Sequence, residues 1–499
     1  MFRRLAVILT AFLVTFLVGC SFLTTSTTTL SYSTLTTTSG ETVTNIENPV
    51  SYETLFDNTN YHKFIVSFSK ANFDKLVNDM QNYFDEFGTY RDNTIQEVDI
   101  YYEDGYGNKV TLNEVGFRTK GNIFSRVLPV ILDQQGNVIG YQQVSFQLEF
   151  NETFLYPDAS TQYKALKDRR MFDLEQLNFK MIRSGDTGIV TEMIAYDLYR
   201  AAGVIAPNTS LAVIYFDIEG EEALIPYGLF TVTEPIDDVF VKRYFGRNQD
   251  GSIGDLYKCV WQNFGPGTLK TGYDPNALGI SDYNDGYRKN YQLKTNKSTS
   301  NFSQFITFVN DLNNTSVINY KNKLESILDV DTWLKTLAMG YLVGNPDDYR
   351  SDANNYYLYF YEGQAVYIPF DNDQSLGYGW NPYGDYGLSH DIYNIPPAQQ
   401  WINQNDLVLV NNVLAFPEYR LIYEQYLLAY TDPQNGLFNY DLFYQEFVIA
   451  STLYQTEILR YNHLGVKTFS LNSRSMTARD YFTQKIARAR ERANYYQNQ

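Results

Sequence analysis

The 499-residue sequence predicts an α+β fold in two lobes, strand-rich over about residues 51–235 and helix-rich over about 236–499. Three observations carry this expectation. Period-two alternation recurs through the first half, apolar residues at helical spacing dominate the second, and no Pro/Gly-rich or charge-run linker divides the chain after residue 50. In order, residues 72–87 place Phe73, Leu76, Val77, Met80 and Phe84 on one helical face. Strands are expected at 96–102, 110–119, 144–150 and 177–183. A helix is expected over 189–202, with Val190, Ile194, Leu198 and Ala201 as its apolar stripe, then strands at 210–216 and 227–232. Beyond residue 300 helices are expected at 302–312, 317–328 and 331–342, and several more follow Glu418. They are interrupted by a strand pair, 355–360 and 365–370, joined through the turn Tyr361-Glu362-Gly363.

The first fifty residues have a different character. Arg3 and Arg4 precede an apolar run from Leu5 to Val18, too short to span a membrane comfortably, and the run ends at Leu17-Val18-Gly19-Cys20. This context resembles the bacterial lipobox. It predicts that residues 1–19 are removed, and that Cys20 is acylated and holds the chain at the outer face of a bacterial membrane. An ordinary cleaved signal with an incidental cysteine is the alternative. Residues 20–50 are rich in Thr and Ser and read as a tether.

Loss of residues 1–19 would remove two arginines and no acid, taking the net charge from −18 to −20. That balance argues against nucleic acid and suits cationic proteins or metal-bound ligands. With Cys20 modified, Cys259 is the one cysteine left, so stability must come from a core rather than an internal disulfide.

Polar residues cluster densely at Gly344-Asn345-Pro346-Asp347-Asp348-Tyr349-Arg350-Ser351-Asp352-Ala353-Asn354-Asn355, and again at Asp371-Asn372-Asp373-Gln374-Ser375-Leu376-Gly377. A strand out and a strand back returns the chain to its start, so the hairpin between the clusters brings both to one end of a sheet. The donors are oxygens and amides with no His or Cys nearby, a set that fits Mg²⁺ or Mn²⁺ and not zinc. An EF-hand loop fails, because its sixth position is Leu376 and its twelfth Pro382. Solvated turn carboxylates remain the alternative for both clusters.

Several ordered segments resemble the CotH family of atypical secreted kinases. They are Asn345-x-Asp347, Asn354-Asn355-Tyr356-Tyr357-Leu358-Tyr359 and Ile368-Pro369-Phe370-Asp371-x-Asp373-x-x-x-Gly377. Upstream, Arg118-Thr119-Lys120-Gly121-Asn122, Leu177-Asn178-Phe179-Lys180 with the helix from Glu192 to Arg200, Gly228 to Glu234, and Tyr291 to Asn296 agree in order. The resemblance spans roughly residues 60–430 and implies a two-lobed, atypical protein-kinase-like fold. It further implies a Ser/Thr protein kinase using ATP with Mg²⁺ or Mn²⁺ on a protein substrate, with a basic, Ser/Thr-rich one suiting the acidic chain.

The resemblance also assigns roles. Lys180 contacts the phosphates and pairs with Glu192, Asp347 holds the catalytic-base position, and Asp371 binds metal with Asn355 or Asn354 and Asp373. Arg118, Lys120 and the Gly121-Asn122 turn cover the phosphates, and Glu234 marks the connection between lobes where adenine binds. On residues alone, Lys180 reads equally as an edge-strand lysine, and Glu192 as a helix position facing water or a cleft. Arg118 and Lys120 read as cross-strand partners of acids, and Glu234 as a surface acid. Two departures from the family pattern stand out: Lys120 replaces an Arg, losing bidentate geometry, and Asp352 stands where Asn is frequent. No P-loop is present, and His62, His390 and His463 are scattered. A non-catalytic kinase-fold protein for adhesion or envelope assembly, and a glycan hydrolase using the same carboxylates, are the competing functions.

Overall fold

The computed structural model describes residues 33–36, 42–45, 50–183, 186–281, 288–460 and 476–499. The N-terminal apolar run, Cys20 and His463 lie outside the described residues. Within the Thr/Ser-rich stretch, β1 (Ser33–Thr36) pairs antiparallel with β2 (Thr42–Asn45). β-Branched Thr and Val favour this extended pairing, although a two-stranded hairpin has no core of its own.

Residues 48–499 form one compact unit. Its first part is a closed barrel of seven strands: β3 (His62–Phe68), β4 (Gln96–Asp104), β5 (Lys109–Thr119), β8 (Phe146–Glu149), β9 (Gln176–Met181), β10 (Thr209–Ile218) and β11 (Ile225–Thr233). The short hairpin β6 (Val130–Leu132) and β7 (Val138–Tyr141) stands apart from it. Around the barrel the order is β10-β11-β9-β8-β5-β4-β3, and parallel pairing of β3 with β10 closes the ring. Aromatic side chains fill the inside. Phe146 stacks on Phe179 with ring centroids 4.6 Å apart, and Phe216 on Tyr227 at 3.8 Å. Such pairs add roughly 0.5–1.5 kcal/mol each beyond simple burial.

Alternation along β9 then has a functional consequence. Leu177 and Phe179 are buried in the barrel, so Asn178 and Lys180 face outward. Lys180 does not lie on an edge strand, because β9 is flanked by β8 and β11.

A second sheet of five strands has the order β13-β14-β12-β15-β16. Its members are β12 (Leu256–Cys259), β13 (Leu278–Gly279), β14 (Tyr291–Leu293), β15 (Tyr356–Tyr361) and β16 (Gln364–Pro369). On one face, Tyr257, Tyr291, Leu293, Tyr356 and Leu358 join the main core with Phe305 and Phe308 of the helix Ser303–Asn313, and with Trp333 and Leu337 of the helix Val330–Val343. On the other, Leu256, Tyr357, Tyr359 and Ile368 pack against Phe240 and Val241 of the helix Asp238–Phe245. Later helices cover Pro417–Tyr430, Tyr440–Arg460 and Ala478–Gln497. Among the described residues no helix is long and apolar enough to cross a membrane.

Most expected elements are present within a few residues of their expected bounds. The helix Thr191–Ala201 departs from the single-stripe expectation: Ala201 is exposed, and burial from Thr191 to Tyr196 extends around the helix. It is sandwiched rather than laid on a surface.

Candidate active site

The β15–β16 hairpin does what its sequence required. Tyr356 lies opposite Pro369, so Asn355 and Phe370 meet at the strand ends, where the Phe370 amide donates to the Asn355 carbonyl at 3.3 Å. The helix Val330–Val343 stops at Gly344, which takes the left-handed conformation (φ 68°) suited to a helix C-terminus. The chain then turns into Asn345-Pro346-Asp347. Asn345 Nδ2 donates to the Asp371 carbonyl at 3.0 Å, tying the two polar clusters together.

Asp347 is held from both sides. Asn354 Nδ2 donates to its Oδ1 and Asn355 Nδ2 to its Oδ2, both at 2.9 Å, and Asn355 also reaches its carbonyl at 3.0 Å. Asp371 is fixed through its backbone, whose amide donates to the Tyr196 hydroxyl at 2.9 Å. Asp371 and Asn355 have φ of 59° and 55°, a region that non-glycine residues seldom occupy. Such strain is held in place only by well-bonded surroundings.

Lys180 joins the barrel to this end of the sheet. Its ammonium donates to Glu192 Oε1 at 2.8 Å and to Asp371 Oδ1, and lies 3.4 Å from Asp373 Oδ2. Arg183 stands 3.6 Å from the other Asp373 oxygen. Glu192 therefore faces Lys180 rather than water, and its side chain is 6% exposed. It is brought there by the first turn of its helix, whose entry loop is fixed by Asp186: Asp186 Oδ1 accepts from the Gly188 and Ile189 amides and from the Thr191 hydroxyl.

The electrostatics follow from burying several acids around one base. Burial opposes the charge on Lys180, yet Asp371, Asp373 and Glu192 more than reverse this and hold its pKa well above the ordinary value. Burial also raises Asp371, but Lys180 prevails and keeps it below the usual carboxylate range. Glu192 is pushed up to about 7 by burial, against the pull of Lys180. Asp347 is pushed up to about 6 by burial, with Asp371 and Asp373 adding to the rise. Asp352, hydrogen-bonded to Asp347, is raised to about 9 by burial and by that neighbour, so at neutral pH it carries the proton between them. A carboxylate near 6 can accept a hydroxyl proton close to neutral pH.

The chain matches the model of the family described as CotH kinase protein over residues 132–441. It belongs to the CotH kinase family. No curated protein matches the chain. As a CotH member it is a kinase-like protein, and kinases generally use ATP with a divalent metal. The matched span contains Lys180, Glu192, Glu234, Asp347, Asn355, Asp371 and Asp373, while Arg118, Lys120 and Asn122 precede it.

Each of those three, and Glu234, has local partners of its own. Arg118 pairs across strands with Glu149 at 2.7 Å and bonds Gln147, and Lys120 donates to Asn178 Oδ1 at 2.6 Å. Asn122 organises its own turn, accepting from the Phe124 and Ser125 amides at 2.9 Å. Glu234 is wholly buried, accepting from Arg243 at 2.5 Å, Tyr244 at 3.1 Å and the Asn208 amide at 3.1 Å. Sequence reading did not single out Arg183 and Tyr196, or the bond from Asn354 to Asp347. Asn354-Asn355 was visible as a pair, but only the fold shows one amide on each Asp347 oxygen.

Proposed function

We propose that this CotH-family chain is a metal-dependent protein kinase, lipid-anchored through Cys20 at the outer face of a bacterial membrane. It transfers the γ-phosphate of ATP to Ser or Thr of surface or envelope proteins. The barrel and the helix-rich remainder act as two lobes, with Lys180 and Glu192 from the first meeting Asp347 and Asp371 from the second. The observation that carries this reading is the Lys180–Glu192–Asp371–Asp373 cluster, in which Glu192 is buried and the other three are half-buried, beside an Asp347 held on both oxygens.

The donor set fits a hard cation. Asp371, Asp373 and Asn355 offer oxygens, while among the described residues no group of three or more His, Cys, Asp and Glu is set to hold a metal alone. Mg²⁺ commonly takes one or two carboxylates and completes its shell with substrate phosphates and water. When bound, the metal would neutralise charge on the phosphates. The protein's part is positional: Lys180 engages the phosphates, Glu192 holds Lys180, and Asp347 orients the acceptor hydroxyl and takes its proton. The hydroxyl oxygen bonds to the γ-phosphorus as the bond to the β-bridging oxygen breaks, leaving ADP.

The test uses labelled ATP, Mg²⁺ or Mn²⁺ and basic Ser-rich peptides, with Asp371→Ala alongside. Label transfer by the wild type alone supports the reading; equal labelling refutes it and favours a non-catalytic kinase scaffold. Cys20→Ser tests the anchor, and should move the chain from the membrane to the soluble fraction.

A further inference from the structure

The second sheet carries lysines that its packing does not require. On β12 and β14, Tyr257, Cys259, Tyr291 and Leu293 face the main core, so Lys258, Gln292 and Lys294 share the opposite face. Lys258 Nζ lies 4.4 Å above the Phe370 ring, next to Asp371, whose carboxylate it helps to keep ionised. Lys294 Nζ donates to Gln292 Oε1 at 3.2 Å, and on the barrel Lys120 donates to Asn178. Among the described residues each of these two ammonium groups has only a neutral amide as its hydrogen-bond partner.

Burial and mutual repulsion are the result. Lys120 is driven well below its ordinary pKa by burial and by Arg118, Lys258 and Lys294, and Lys294 falls to about 7 through burial, Lys297, Arg118 and Arg288. Arg118 has Glu149 at 2.7 Å, but Lys120 and Lys294 are held by amides alone, and gathering such weakly compensated cations from two sheets costs stability. In a chain of net charge −18, such a focus is not a general property of the surface. A compact oligophosphate meets the requirement, since it concentrates several charges and many acceptor oxygens in a small volume.

We propose that Lys258 and Lys294, from the second sheet, hold the phosphate chain of the nucleotide together with Arg118 and Lys120 of the barrel. The ligand's identity rests on the kinase reading, but the anion site is testable without catalysis. The probe is tripolyphosphate with Mg²⁺, compared with adenosine, on the wild type and on Lys258→Gln/Lys294→Gln. We expect the double variant to bind tripolyphosphate at least about tenfold more weakly, and adenosine unchanged. Its ligand-free Tm should equal or exceed that of the wild type, because like charges have been removed. Undiminished tripolyphosphate affinity overturns the proposal.

Should the variant misfold, the wild type supplies a second measurement. Acylation of Lys258 and Lys294, mapped by mass spectrometry, should fall when tripolyphosphate binds, and unchanged labelling overturns the proposal. The two readings fail separately. Binding through these lysines without phosphate transfer would remove the kinase and leave the anion site, whereas full transfer by the double variant would remove this site and leave the kinase.

Discussion

At the turn end of β15 and β16, a cleft of about 530 Å³ is lined by Asp250, Asp255 and Glu362 among amide and hydroxyl side chains. At the other end, Asp347, Asp371 and Asp373 occupy a more closed setting with Lys180. The open end satisfies its acids locally. Asp255 accepts from Asn296 at 2.9 Å and Ser300 at 2.5 Å, and Glu362 from the Gln249 amide at 2.9 Å. Among the described residues no ion pair forms there. The closed end instead brings Lys180 and Glu192 from one sequence region to acids nearly two hundred residues away. The open cleft is therefore not the better candidate site: charge assembled from distant segments marks the chemistry more clearly than an open cleft does.

Substitutions at the two ends should separate them. Asp371→Ala has the largest expected effect, lowering phosphate transfer by about 10²–10³-fold, read as initial rate with labelled ATP. Lys180→Met leaves Glu192, Asp371 and Asp373 without their shared cation and should cost about 2–4 kcal/mol in urea unfolding. Gly344→Ala forces a left-handed position and drives a Cβ into the Tyr481 hydroxyl, at about 1–3 kcal/mol in the same measurement. At the open end, Glu362→Ala should stay within about 0.5 kcal/mol of the wild type and leave transfer unchanged. A large loss there would break the distinction.

Asp352 sharpens it through pH. Its carboxyl moves from a reference value of 3.8 to about 9 in the folded chain, so the folded state binds the extra proton between those values. The associated stability is full below the lower value and is lost as pH rises through the upper one. Asp352→Asn has no such proton to lose. Its Tm relative to wild type should climb as pH is raised from about 5 to about 9, while its amide still donates to Asp347. Asp352→Ala removes that donor and should lower transfer where Asn does not.

The sequence made the hairpin and its two polar clusters legible because alternation, a Gly-containing turn and dense Asp/Asn runs are local signals. It also ordered the motifs that place the chain in its family. It did not show β3, whose outward Lys63, Ile65 and Ser67 mix polar and apolar character because Ile65 packs against the main core. Nor did it show β12, β13 and β14, which span four residues or fewer and are too short for periodicity to register. The same limit applies to the site. Lys180 and Glu192 could be named, but closure of the barrel and burial of a helix around most of its circumference are long-range outcomes, and they decide that the two side chains meet each other and Asp371.

The most direct measurement compares Asp347→Asn and Asp255→Asn in one phosphate-transfer assay, with Tm recorded for both. Asp347 lies at the closed end and Asp255 at the open end. Loss of transfer in Asp347→Asn alone, with both variants folded, is the predicted result. Equal retention of transfer, or loss confined to Asp255→Asn, would contradict the placement of the chemistry at Asp347.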